Sequence, residues 1–328
     1  MAQRVATAAV LIVFLIVMMY FGGVVMGIGA MVCLCFAMHE EYHALSVAGH
    51  RPVAWPTWVA TAACVPLVAV WGIGTVIPLL AMTCLITIIC VVFRDEPKLE
   101  DAVMSVLPLF TVMLPGMCIV VMAQVQPKAV QVVLLSLTFA VPVLGDTLAF
   151  FVGSRVRGPK LCPAVSPNKT ISGAIAGLAG SLLAAVVVGL ASLLFCDAAT
   201  LAQLPSWWQY ALIGLIGGVA GQMGDLFASL VKRHCGLKDF SSLFPGHGGM
   251  LDRLDSILFM AVVMFSFLLL RGAGILGDAR ERSFLKKSPL PRAPFRKDGG
   301  GEALGGEAAS LREVPQPQSA QPMAACFG

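Results

Sequence analysis

Two carboxylates that could face one site lie near the end of the apolar part of the chain. Asp252 and Asp255 are three residues apart, so a helix would place both side chains on one face. Two acids close to clustered lysine and arginine suit a divalent cation that bridges to phosphates. Magnesium in proteins usually takes one or two carboxylates plus substrate phosphate oxygens. The pattern is typical of phosphoryl transfer, in which the protein mainly positions groups and neutralises charge.

A second set of polar residues precedes this pair. Gln222, Asp225 and Ser229 are three or four residues apart and therefore share a helical face. Positively charged side chains follow at Lys232, Arg233 and Lys238, and Arg253 lies between the two later acids. Four glycines at spacings that allow close helix packing stand just before or within this face: Gly217, Gly218, Gly221 and Gly224.

A third polar stretch runs from Gly145 to Gly180. Asp146 lies well inside apolar sequence, where a charge costs several kcal/mol unless it is paired or coordinated. The alternative to a functional role is a salt bridge that joins two helices. Four positive charges follow at Arg155, Arg157, Lys160 and Lys169. The tendency of cytoplasmic loops to be basic explains at least part of that cluster.

The elements that position these residues must cross a membrane. Hydrophobic residues make up 58% of the 328 residues, charged residues only 12%, and the mean hydropathy is +0.87. This composition lacks the polar surface of a water-soluble globule. The apolar runs are continuous instead of alternating, which favours helices over a barrel. We predict an all-α protein with about nine transmembrane helices, at residues 5–20, 22–38, 56–72, 74–93, 102–124, 128–153, 173–195, 209–230 and 250–270.

The chain divides into three predicted regions. Residues 1–124 form N-terminal membrane helices, residues 125–271 a catalytic membrane region, and residues 272–328 a disordered tail rich in proline and glycine. A signal peptide is the alternative for the first span, but Arg4 alone makes a poor basic region. The ten cysteines contain no C-x-x-C pair, so we predict neither a zinc site nor a disulfide framework.

The motifs together resemble those of phosphatidate cytidylyltransferases, also called CDP-diacylglycerol synthases. The resemblance is strongest in the segment from Ser229 through Lys232-Arg233, Lys238-Asp239 and Phe244 to Asp255. Further similarity covers Asp146-Thr147, the segment from Lys160 to Gly173, and Gly221 to Leu226. Residues 145–270 carry the resemblance strongly, and the first 140 residues share only the polytopic character. Ser172 departs from the pattern, because family members often have an acid there.

The resemblance implies a reaction in which CTP and phosphatidate give CDP-diacylglycerol and diphosphate, with Mg²⁺ and a second metal such as K⁺. Asp225, Asp252 and Asp255 would then be metal ligands. Lys232, Arg233, Lys238 and Arg253 would neutralise the triphosphate. Further contacts with phosphate or lipid head group are expected from Asp146, Ser166, Asn168, Lys169, Thr170 and Ser229. Gly248 and Gly249 would let backbone approach a ligand, and His247 would either orient a phosphate or cap the last helix.

The distribution of charge predicts the orientation and partners. With nine spans, the loops at 39–55, 94–101, 154–172 and 231–249 share one face and hold most of the basic residues. Such loops are cytoplasmic, where CTP is available, in what we expect to be a bacterial inner membrane. Partners are CTP, phosphatidate and membrane lipids, with no nucleic acid, and a homodimer is left open. Another lipid phosphate as acceptor, or a transporter with intramembrane carboxylates, are the alternatives.

Overall fold

The computed structural model describes residues 2–156, 158–244 and 248–272. Its helices are α1 (Ala2–Phe21), α2 (Gly23–Val47), α3 (Trp55–Trp71), α4 (Val76–Val92), α5 (Leu99–Pro108), α6 (Leu114–Met122), α7 (Lys128–Val156), α8 (Ile171–Phe195), α9 (Ala198–Leu201), α10 (Trp207–His234) and α11 (Leu251–Gly272). Two short strands, β1 (Lys160–Cys162) and β2 (Ser166–Thr170), separate α7 from α8. The prediction of an all-α membrane protein is confirmed.

Seven segments of the described residues are long and apolar enough to cross a membrane. Each predicted span falls on a helix, but the number nine is not confirmed. The first predicted span lies on α1, of which Ala9–Phe21 is a shorter apolar helical stretch. The third and fourth form one apolar segment, Trp55–Val92, which is interrupted at Gly72, where φ is 69°. Glycine adopts this left-handed conformation without the steric cost that a side chain would add.

The polar stretch between α7 and α8 contains a small antiparallel hairpin. Lys160 of β1 pairs with Thr170 of β2, and Cys162 pairs with Ser166. The sequence predicted only a loop here. The hairpin matters for the site because it fixes the direction in which the β2 side chains point.

The helices that carry the motifs pack closely through glycine. A Cβ atom at Gly180 of α8 would lie 2.8 Å from the backbone oxygen of Leu144 in α7. A Cβ atom at Gly224 of α10 would lie 2.5 Å from the backbone oxygen of Asp255 in α11. In lipid, where helices gain little from the hydrophobic effect, small residues allow the close contacts that hold them together. Close helix packing therefore explains why glycines recur at this spacing in the sequence.

The N-terminal helices are not a separate layer. Helices α2 and α6 both pack against α11, and the buried side chains of the described residues form one hydrophobic cluster. Met38 of α2, Met117 of α6 and Met264 of α11 are at most 1% exposed within it. Helix α11 is uninterrupted from Leu251 to Gly272, and the predicted disordered tail lies beyond the described residues except for Gly272.

Candidate active site

A polar cavity of about 900 Å³ lies where α7, the β-hairpin, α8, α10 and α11 converge. It is lined by nine of the residues that the sequence singled out: Asp146, Asn168, Lys169, Thr170, Asp225, Lys232, Asp252, Arg253 and Asp255. Lys160, Gln222 and Asp239 line the same space. The structure thus brings both polar motifs, which are far apart in sequence, to one place.

Asp225 forms an ion pair across the cavity. Its Oδ2 atom lies 2.5 Å from Nζ of Lys169, which extends from β2. Both side chains are between a quarter and a third exposed, so solutes that enter the cavity can reach them. An anion that enters the cavity would compete with Asp225 for Lys169.

Asp252 is more buried and organises the backbone around it. Its Oδ1 atom accepts a hydrogen bond from Lys232 Nζ at 2.6 Å, and the two side chains are 4% and 11% exposed. Its Oδ2 atom accepts from the backbone N–H groups of Phe240 at 3.0 Å and Gly249 at 2.9 Å. Lys232 also lies 5.3 Å from the centroid of the Phe240 ring. Asp252 therefore joins α10, the following loop and α11.

Thr170 has a structural role as well as a place on the cavity wall. It is the N-cap of α8, and its Oγ1 atom accepts a hydrogen bond from Gly173 N at 3.1 Å. The Ser172 hydroxyl lies 3.2 Å from the same oxygen. Satisfying the free N–H groups at a helix start stabilises that helix.

Six predicted site residues do not line the polar cavity: Ser166, Ser229, Arg233, Lys238, Gly248 and Gly249. Ser229 is buried on α10, and Lys238 is exposed. Arg233 points away along the loop, where its Nη1 atom donates to the backbone oxygen of Leu237 at 3.1 Å. His247 lies outside the described residues, as does Arg157. A direct contact of the six residues and of His247 with substrate stays a prediction.

The two glycines of the loop are needed for a reason other than ligand approach. Gly248 has φ 82°, and a Cβ atom there would lie 2.9 Å from Asp252 Oδ2. A Cβ atom at Gly249 would press directly against the carboxylate of Glu40. Both glycines therefore make room for carboxylates of the protein itself.

An apolar cavity of about 430 Å³ adjoins the polar one. Side chains of α1, α2, α6, α7 and α11 enclose it, among them Phe14, Met26 and Phe139. Four residues lie on the wall of both cavities: Asp146, Asp252, Arg253 and Asp255. The charged end of the site thus borders a space suited to hydrocarbon.

The sequence reasoning missed two buried acids of α2, Glu40 and Glu41. Glu41 is 1% exposed and accepts hydrogen bonds from Thr111 Oγ1 at 2.9 and 2.7 Å. Glu40 is 5% exposed and binds the loop before α11. The sequence predicts that the second span ends at residue 38 and that both acids lie in the following loop, whereas α2 continues to Val47. The sequence signal is a pair of adjacent acids that stands one residue beyond an apolar run, after His39.

One thiol stands beside the loop between α10 and α11. Cys235 is buried, and burial raises the pKa of its thiol above the ordinary value. The thiolate is the form that binds metals, so burial disfavours this cysteine as a ligand.

Fold and site define a polytopic membrane protein in which carboxylates and lysines surround a polar cavity between transmembrane helices. The chain belongs to the cytidylyltransferase family, whose model matches residues 2–271. It is similar to phosphatidate cytidylyltransferases of Brucella abortus (strain 2308), at 40% identity over 129 residues, and of Bacillus subtilis (strain 168), at 41% over 126 residues. The enzyme of Staphylococcus aureus (strain COL) is 43% identical over 122 residues.

These matches confirm the resemblance derived from the motifs. They cover 39%, 38% and 37% of this chain and 44%, 43% and 44% of the three relatives, so the chain spans less than half the length of each relative. The family match extends over the first 140 residues as well, where the motifs alone showed only a common polytopic character.

Proposed function

We propose that the protein is a phosphatidate cytidylyltransferase that makes CDP-diacylglycerol. The observation that carries this proposal is the junction of the polar and apolar cavities at Asp146, Asp252, Arg253 and Asp255. A water-soluble nucleoside triphosphate and a membrane lipid must share one site in this reaction. A charged cavity that borders an apolar one, with four wall residues in common, offers a place to each.

The reaction is a transfer of the cytidylyl group. An oxygen of the lipid phosphate attacks the α-phosphorus of CTP, and the bond from that phosphorus to the bridging oxygen of the β-phosphate breaks. Diphosphate leaves with the electron pair, and a new P–O–P linkage joins the nucleotide to the lipid. Negative charge accumulates on the leaving group, so positioned cations lower the barrier.

The donor set around the cavity suits Mg²⁺. Asp146, Asp225 and Asp255 all line it, but no group of three or more such residues within the described part of the chain could hold a metal ion unaided. This agrees with the usual arrangement, in which one or two carboxylates bind magnesium and substrate phosphates supply further oxygens. When bound, the ion would neutralise the phosphate oxygens. We propose Asp225 and Asp255 as its ligands, with Asp252 contributing only through the remaining lone pair of Oδ1, and K⁺ as a second cation.

The cationic side chains have separate tasks in this proposal. Lys169 and Arg253 reach the cavity and are accessible, so they can bind the phosphates of CTP or of the lipid. Lys232 is held by Asp252 and places its charge at the base of the cavity. Charge-assisted hydrogen bonds of this kind are about twice as strong as neutral ones.

The proposed orientation places the polar cavity on the cytoplasmic side of a bacterial inner membrane. The end of α2 and the end of α10 meet, because His50 Nε2 lies 3.2 Å from His234 Nε2. Arg94, just after α4, donates to the backbone oxygen of Arg51. These contacts bring the basic segments that follow α2, α4 and α10 together on one face. Cytoplasmic loops carry such an excess of lysine and arginine. Curated relatives are bacterial.

The test is a transfer assay with a panel of lipid acceptors. Purified protein in phospholipid vesicles is incubated with CTP, Mg²⁺ and either phosphatidate, an ether-linked glycerolipid phosphate or a polyprenyl phosphate. We expect a CDP-lipid to form with phosphatidate at a rate at least tenfold above the other acceptors. Preference for another lipid phosphate would change the assigned substrate, and no CDP-lipid from any acceptor would contradict the proposal.

A further inference from the structure

We infer that Glu40, a residue outside every motif, is a positioning residue of the active site. This inference rests on the proposed function. Glu40 lies on α2, about 200 residues away in sequence from the loop that it binds. Its carboxylate is 5% exposed and accepts three hydrogen bonds from the segment that joins α10 to α11.

The three donors span the loop and the start of the last helix. Oε1 accepts from Ser241 Oγ at 2.6 Å and from Met250 N at 2.9 Å. Oε2 accepts from Leu251 N at 2.8 Å. The first N–H groups of a helix have no partner within the helix, and a negative charge at that end is favourable. Glu40 thus acts as an N-cap for α11 that is supplied by a different helix.

The same loop is held from its other side by Asp252. That carboxylate binds Phe240 N and Gly249 N, whereas Glu40 binds Ser241 and Met250. In each of two adjacent pairs, Phe240–Ser241 and Gly249–Met250, the first residue therefore binds Asp252 and the second binds Glu40. The backbone at Gly249 passes so near Glu40 that a Cβ atom there would lie 2.7 Å from the Glu40 carboxyl carbon.

This clamp fixes residues that line the polar cavity. The N–H group of Leu251 donates to Glu40. The next two residues, Asp252 and Arg253, line the polar cavity. A shift of α11 or of the loop would displace Asp252, and with it Lys232. Displacement of about 1 Å at a catalytic group is enough to reduce turnover by about 100-fold. The N-terminal helices, which carry no motif, would thus contribute directly to the geometry of the site.

A glutamine at position 40 has nearly the same size as glutamate but no charge and one acceptor oxygen fewer. The amide of a Glu40→Gln variant has one acceptor oxygen for three donors, and its NH₂ group would face at least one of them. Asp101→Asn is the matched control. Asp101 is also 5% exposed and also accepts a backbone N–H, from Arg51 at 2.9 Å. The other partner of its carboxylate is His50, at 4.0 Å, and among the described residues it has no hydrogen bond or ion pair with the loop between α10 and α11.

The experiment combines hydrogen exchange with kinetics on the full-length protein in vesicles. We expect amide exchange over residues 240–251 to be faster in Glu40→Gln than in wild type and unchanged in Asp101→Asn. At a temperature far below unfolding, kcat for CDP-diacylglycerol should fall roughly 10- to 100-fold in Glu40→Gln and stay within about twofold in Asp101→Asn. Ser241→Ala, which removes one donor, should show a smaller loss that does not add to that of Glu40→Gln.

Two results would show that Glu40 does not position the site. Unchanged exchange over residues 240–251 in Glu40→Gln would overturn the inference, and so would faster exchange with wild-type kcat. If Glu40→Gln does not fold, Ser241→Ala and Glu40→Asp provide the same comparison. A wild-type protein without cytidylyl transfer would refute the proposed function instead, and hydrogen exchange would still show whether Glu40 holds the loop.

Discussion

At the scale of residues, the carboxylates of the cavity have different surroundings, which indicates a division of tasks. Asp252 is almost fully buried and occupied by Lys232 and two backbone N–H groups. Asp225 is more accessible and paired with Lys169. The sequence predicted both as metal ligands because it shows residue types and spacings. It could not show which carboxylate has partners from the protein, since these partners are up to 56 residues away.

Asp225→Asn should reduce Mg²⁺-dependent transfer roughly 100-fold or more while the protein still inserts. The change removes a negative charge from the face that we propose to bind the metal, and with it part of the neutralisation of the phosphates. The measurement is the initial rate at saturating Mg²⁺. Asp95→Asn, at an exposed position between α4 and α5, is the control and should keep its activity. Wild-type turnover in Asp225→Asn would remove Asp225 from the site.

Lys232 and Arg233 are adjacent and carry the same charge, but the structure separates them. Lys232→Gln leaves Asp252 buried without its cation, which costs about 3–5 kcal/mol when one partner of a buried pair is removed. Arg233→Gln removes only an exposed contact with Leu237. We therefore expect transfer activity to fall at least tenfold further in Lys232→Gln than in Arg233→Gln. Labelling of an engineered loop cysteine controls for orientation, and equal losses would contradict the distinction.

At the scale of elements, the site depends on how closely α10 approaches α11 and on the β-hairpin between α7 and α8. The sequence predicted the helices, because long apolar runs have only one stable form in lipid. It did not predict the hairpin, which is short and polar. It also did not predict the end of α2, because Glu40 and Glu41 interrupt the apolar pattern before the helix ends.

Gly224→Ala should destabilise the protein by about 1–3 kcal/mol, because extra atoms in a tight contact force a backbone shift. The added Cβ would lie 2.5 Å from the Asp255 backbone oxygen and 2.9 Å from the Phe259 ring. The measurement is the thermal unfolding midpoint in detergent. Gly74→Ala is the control, since no atom lies within 4 Å of a Cβ there. Equal midpoints for the two variants would contradict the close packing of α10 and α11.

At the scale of the whole molecule, the membrane fold and most of the cavity could be predicted from composition and motifs. Nine of the predicted site residues meet although they lie in separate segments. The contribution of the N-terminal helices could not be predicted, since it depends on contacts such as Glu40 with Leu251. Contacts over such distances in sequence follow from the packing of helices, which no local pattern encodes.

Deleting the residues after Lys287 should leave transfer activity within about twofold of wild type. All residues that line the two cavities precede position 259, so the deletion removes none of them. Truncation is tolerated where no buried backbone is exposed. The measurement is the rate of CDP-lipid formation by the truncated protein in vesicles. A truncated protein that inserts normally but does not turn over would show that the removed segment acts in the reaction.

Transfer of a cytidylyl group to a lipid phosphate determines which phosphate of CTP enters the lipid, so a radioactive label on one phosphate shows whether it occurs. Wild-type protein is incubated with phosphatidate and with CTP that carries ³²P on either the α- or the γ-phosphate. Attack on the α-phosphorus predicts that the α-label enters the lipid and that the γ-label is released in diphosphate. A γ-label in the lipid would show phosphoryl transfer instead, and no label in the lipid from either CTP would contradict cytidylyl transfer by this protein.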